Sequence, residues 1–162
     1  MAKSEIQVAK GDSIFNDVAR LEQAIREEAY ALFEGRNGKS ADPVGDWLAA
    51  EESLVWKPAI EVRRNDGAVE ILAALPGVEA RDIDVRVAPE DVLIQATVND
   101  GHTEKTGDVE VSECKHGHAF RAVHLPTRID PNRVTAEYRD GMLRLVATAA
   151  KPETGSAAGR AV

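Results

Sequence analysis

Apolar residues early in the chain recur at spacings of three and four: Ile14, Val18, Leu21, Ile25, Ala29 and Leu32. That period puts them on one face of a helix. Asp12 and Ser13 suit its N-cap, and Gly35 with Asn37-Gly38 ends it. A second, shorter helix is expected from Asp42-Pro43 to near Ser53, with Pro43 in the first turn and Trp47 and Leu48 along its length. From Trp56 the period changes to two. Ile60 and Val62 alternate with charged residues up to a turn at Asn65-Asp66-Gly67, and Val69, Ile71, Ala73 and Leu75 follow before Pro76-Gly77. Further strands are expected at Ile83 to Val87, Val92 to Thr97, Val109 to Glu113, Ala119 to Leu125, Val134 to Tyr138 and Leu143 to Thr148.

Many short strands without intervening helices predict an all-β, immunoglobulin-like antiparallel sandwich preceded by an α-helical segment. The expected divisions are a flexible start over 1–11, a helical segment over 12–54, a β domain over 55–150 and a flexible tail over 151–162. The start alternates polar and apolar residues, and the tail is Ala, Gly, Ser and Thr with little to bury. The polar, Gly-containing connection from Asn99 to Asp108 is too long for a tight hairpin, and such loops tend to carry function.

Charge and composition then narrow the function classes. The net charge of −8 opposes non-specific nucleic-acid binding, and the arginines form no run with interleaved aromatics. No apolar run approaches the roughly 20 residues of a membrane span, and the start has no apolar leader region. With the single Cys114 unable to form an internal disulfide, these features point to the cytoplasm.

Three segments carry a resemblance. Ala136-Glu137-Tyr138-Arg139-Asp140-Gly141-Met142-Leu143 resembles the A-x-x-x-(N/D)-G-x-L signature of the small heat-shock proteins, the Hsp20 or alpha-crystallin domain family. Gly117 to Pro126 is similar to that family's G-x-F-x-R-x-x-x-L-P stretch, and Leu75-Pro76-Gly77-Val78 to its L-P-G-(V/F) turn, in matching order. The resemblance covers about Trp56 to Ala150 and implies an alpha-crystallin domain. The implied function is that of an ATP-independent holdase, a stress-response chaperone that binds partly unfolded clients and limits their aggregation. It also implies a homodimer formed by exchange of a strand carried in the long connection. Val109, Val111 and Arg121 would then lie at the dimer interface. On its strand Arg121 shares a face with Val123 and Leu125, so it is expected to be partly buried and to need a carboxylate or carbonyl partner.

Two departures stand out. The family commonly ends in an I-x-I/V motif that plugs a groove on a neighbouring dimer, and this tail offers only Arg160-Ala161-Val162. The groove, taken to lie between the strand ending at Leu75 and that of Leu143 and Leu145, is then expected to stay open. Second, Ala119 stands where the family usually has Phe, and Phe120 is one place displaced, on the opposite face unless a bulge corrects the register. Ile25 to Glu34 and Asp46 to Glu51 (DWLAAE) resemble a small bacterial domain of unknown function, which implies two helices.

Candidate surfaces for clients or partners are therefore the helical residues Ile14, Phe15, Val18, Leu21, Ile25, Leu32, Phe33 and Trp47, and the groove residues Val69, Ile71, Leu143 and Leu145. Packing inside the molecule is the competing use of both sets. No nucleophile elbow or phosphate-binding loop is present, so neither a catalytic residue nor a cofactor is expected. Cys114, His116 and His118, with His102 or His124, have ligand chemistry for zinc or copper, but a solvated turn at Gly117 is the simpler use, and no metal site is assigned. An alternative function is a co-chaperone or interaction module binding one folded partner through the helices, and a third is a metal or redox sensor built on Cys114.

Overall fold

The computed structural model describes residues 3–11, 14–37, 39, 42–98, 107–108, 110–115 and 117–151. The cap candidates Asp12 and Ser13, His102 and most of the long connection, Val109, His116 and the tail from 152 lie outside these residues.

The two expected helices form at Ile14–Gly35 (α1) and Pro43–Leu54 (α2). At the start of α2 an Asp42 carboxylate oxygen accepts the Gly45 backbone N–H at 2.9 Å, and Pro43 occupies the first turn, where its missing N–H costs nothing. The carboxylate lies close over Gly45, so a Cβ there, 2.2 Å from an Asp42 carboxylate oxygen, would make the Asp42 side chain shift. Arg36, just past α1, pairs with Asp46 of α2, which is only 4% exposed. Leu54 leads without a linker into the short strand Val55–Trp56.

The remaining strands form two five-stranded sheets. In chain order they are β1 (Ser4–Ile6), β2 (Val8–Lys10), β3 (Val55–Trp56), β4 (Ile60–Asn65), β5 (Ala68–Ala74), β6 (Ile83–Val87), β7 (Asp91–Val98), β8 (Gly117–His124), β9 (Ile129–Arg139) and β10 (Met142–Ala149). The first sheet runs β1-β9-β10-β5-β4 and the second β2-β6-β7-β8-β3. Side-chain alternation is regular: along β5, Val69, Ile71 and Ala73 are buried while their neighbours are half-buried. These residues join Leu143 and Leu145 of β10, Val85 of β6, Ile94 of β7 and Val123 of β8 in one apolar cluster, so the two sheets share a core. Between β9 and β10, Asp140 (φ 50°) and Gly141 (φ 78°) are both in the left-handed region, as a two-residue hairpin turn demands.

Three expectations are corrected. The start is not a flexible end: β1 pairs antiparallel with β9, and β2 pairs parallel with β6. The sheets are not purely antiparallel, since β2–β6 and β3–β8 run parallel. No strand forms over the described residues 110–115, and none of them has a ladder partner among the described residues. The register of β8 on β7 is continuous from Asp91↔His124 to Val98↔Gly117, so no bulge corrects Phe120. Ala119 is buried in the core and Phe120 lies half-buried on the opposite face.

The helices lie on the side of the second sheet away from the core. Leu93 of β7 is fully buried yet outside the shared core, and beside it Arg86 of β6 forms an ion pair with Asp17 of α1. Among the described residues no helix is long and apolar enough to cross a membrane.

Candidate functional site

Two of the three sequence motifs meet. The N–H of Leu75 donates to the Gly141 carbonyl at 2.8 Å, and the buried Tyr138 hydroxyl lies 2.8 Å from the carbonyls of both Leu75 and Val78. The Leu75-Pro76-Gly77-Val78 turn is thereby fastened to the β9–β10 hairpin. Burial pushes the Tyr138 phenol above its usual pKa, partly offset by the bond to the Val78 carbonyl. These contacts are structural, with no reacting geometry around them.

The groove expected beside Leu75 does not exist. β5 and β10 are direct ladder neighbours, pairing Leu143 with Ala73 and Leu145 with Ile71. Val69, Ile71, Leu143 and Leu145 are all core residues, which corrects their place among the client-surface candidates. The open side between the sheets lies elsewhere, between the outer edges of β9 and β6, and the chain's own start fills it. Ser4, Glu5 and Ile6 pair with Tyr138, Glu137 and Ala136, and after Gln7 the chain crosses to the other sheet, where Val8, Ala9 and Lys10 pair with Val85, Arg86 and Val87. Ile6, 6% exposed, belongs to the core and Val8 packs against it. Sequence reading missed this strap, although its alternation of apolar and polar residues was the available signal.

The helical candidates divide by face. Ile14 and Ile25 are buried, which corrects their place as surface candidates, and Val18, Leu21, Leu32 and Trp47 are half-buried. Phe15 is 75% exposed and Phe33 is exposed as well. They are eighteen residues apart, five helical turns, so they stand in line about 27 Å apart along α1. Tyr30, 60% exposed, adds its ring 6.4 Å from that of Phe33. On α2, Val44, Leu48 and Leu54 are also exposed, none of them among the sequence candidates. Their signal was available as apolar residues off the main stripe.

Arg121 is half-buried on the core side of β8, opposite Ile94, and has no ion-pair or hydrogen-bond partner among the described residues. The expected carboxylate or carbonyl partner is thus not found among the described residues. Val111 is 83% exposed and lies outside any strand. The outer edge of β4 has no ladder partner among the described residues. Cys114 is an exposed free thiol. His118 bonds the Gln95 side chain at 3.2 Å, and burial lowers its pKa, while His124 bonds Asp91 at 3.0 Å. Among the described residues no group of three or more His, Cys, Asp or Glu is placed to hold a metal.

Comparison with known proteins agrees with this architecture. The Hsp20/alpha crystallin family profile matches residues 61–162. The "Probable 15 kDa heat shock protein" of Leptospira interrogans is 25% identical over 118 residues, 73% of this chain and 89% of that protein. Heat shock protein 16 of Schizosaccharomyces pombe is 31% identical over 88 residues, 53% of this chain and 62% of that relative. Among solved structures, heat shock protein 16.0 from S. pombe superposes with a TM-score of 0.54 at 24% identity, covering 59% of this chain and 89% of that one.

Proposed function

Because the chain belongs to the Hsp20/alpha crystallin family, whose members bind unfolded client proteins and oligomerise, we propose that it is an ATP-independent holdase that meets clients through the outer face of its helical pair. One observation carries this reading. Of the eight large apolar side chains left exposed among the described residues, six lie on α1 and α2: Phe15, Tyr30, Phe33, Val44, Leu48 and Leu54. A soluble protein keeps such a face in water only at a free-energy cost, and burying it against an unfolding chain recovers that cost. The formal charge of −8 then helps keep the loaded complex dissolved.

In the same reading the two sheets are the layers of a closed immunoglobulin-like sandwich, supported by the single core they share. The chain is a homodimer by strand exchange, supported by the open edge of β4 and the exposed Val111 in the segment after the long connection. It acts in the cytoplasm, where a reducing environment suits the exposed thiol of Cys114.

The test is suppression of heat-induced aggregation of several unrelated proteins without nucleotide. The variant Phe15→Ser/Tyr30→Ser/Leu48→Ser should lose at least about half of the protection while melting within a few degrees of the parent, since exposed substitutions cost about 0.5 kcal/mol or less each. Full protection by the triple variant would move the client surface off the helices. Protection limited to one test protein would instead favour an interaction module for a single folded partner.

A further inference from the structure

At one end of the sandwich β9 parts from β10. The ladder pairs Ala147 with Val134 and then Ala149 with Ile129, so residues 130–133 of β9 stand against Thr148 alone. Beside this break lies an open hollow of about 740 Å³, within the size range of small-molecule sites. Its lining is apolar at Pro89, Ile129, Pro131 and Ala149, and cationic at Arg128, Arg133 and Lys151. Ile129 is buried and the three cations are exposed, so charge stands over an apolar base. Two backbone bonds pin the walls: the Ile129 N–H donates to the Pro89 carbonyl at 2.8 Å, and the Ala150 N–H to the Arg128 carbonyl at 2.9 Å.

These cations are weakly answered by acids. Arg133 and Lys151 have no ion pair or hydrogen bond among the described residues, and Arg128 reaches only Glu90, at 3.9 Å. Asp130, the one carboxylate in the lining, already accepts the Asn132 backbone N–H at 2.9 Å and its side-chain N–H at 3.1 Å. Arg64, in an adjoining hollow with Asp66, extends the basic side. In a chain of 20 basic and 28 acidic residues, this end reverses the charge of the whole. A guanidinium fork matches the oxygens of a carboxylate or phosphate. We propose that the hollow binds a single amphiphilic anion, with an aliphatic chain on the Ile129 and Pro131 base and a carboxylate or phosphate head among Arg128, Arg133 and Lys151. None of the lining residues belongs to α1 or α2, so this site goes beyond the holdase reading and stands or falls apart from it.

Calorimetric titration of the full-length chain tests it, with each probe below its micelle concentration. Dodecanoate and dodecyl phosphate should bind, and the tighter of the two assigns the source of the head as a fatty acid or a phosphate ester. Dodecyltrimethylammonium has the same chain with a cationic head, and acetate has the head without the chain. Each should bind at least about tenfold more weakly than dodecanoate. Arg128→Gln/Arg133→Gln/Lys151→Gln should weaken dodecanoate by about tenfold or more. Arg63→Gln/Arg81→Gln/Arg139→Gln has the same net charge but is altered elsewhere, and it should stay within about twofold of the parent. All six side chains are exposed, so both variants should melt within a few degrees of the parent. Equal weakening by the two variants overturns the site, because long-range charge alone would then explain it. So does acetate binding as tightly as dodecanoate, or weakening only in Phe15→Ser/Tyr30→Ser/Leu48→Ser, which would put the probe on the helices.

Discussion

The Tyr138 hydroxyl shows how one polar atom is accommodated in the core: it reaches two carbonyls at once, at Leu75 and Val78. Removing it leaves both acceptors to find other donors in an apolar setting, so Tyr138→Phe should lower unfolding stability by about 1–2 kcal/mol in a denaturant titration. Because burial raises the folded-state pKa above the unfolded value of 10.0, Tyr138's contribution is complete below pH 10 and fades as pH rises through the folded value. The gap between parent and variant should therefore narrow in strongly alkaline buffer. His118 behaves in the opposite sense. Its folded-state pKa is depressed by burial below 6.5, so its contribution is present above pH 6.5 and is lost as pH falls through the folded value. His118→Gln should flatten the acid side of the melting-temperature profile, and an unchanged profile would show that the ring is not desolvated. Sequence reading gave the alternation that buries Tyr138, but neither of its carbonyl partners, because they lie sixty or more residues away and depend on how the Pro76-Gly77 turn folds back.

At the level of elements, the helical pair is joined by an ion pair between Arg36 and the buried carboxylate of Asp46. Asp46→Ala would remove the partner of a half-exposed guanidinium, so the loss should be about 1–2 kcal/mol and not the larger figure of a fully buried pair. It should appear as earlier loss of helical signal, with the β signal melting later. Both helices were legible from the apolar period and from Pro43. The division of their surface was not, because the period puts Leu21 on the stripe and Phe15 off it but does not say how far a neighbouring element covers either. The strap was missed for a related reason: three-residue strands carry too little pattern to outweigh the prior for a loose chain end. The misassigned groove has a different origin. Strand order fixes which edges are free, and residue alternation within Val69 to Ala73 says only that one face is buried, not what lies beside it.

For the whole molecule, the edge of β4 that has no ladder partner among the described residues is the feature that calls for one. If the connection 99–108 supplies the exchanged strand, its deletion should convert a dimer to a monomer in sedimentation while the β domain still folds. An unchanged dimer would leave another surface as the joint. The three motifs and the turn chemistry made the family legible from sequence. They left the assembly open, since the residues that decide it belong to edges whose partners come from another chain.

The passage from α2 straight into β3, with Leu54 followed by the ladder-paired Val55, has a mechanical consequence. If clients dock on α2, as proposed, pull on a bound client passes directly into the edge of the second sheet.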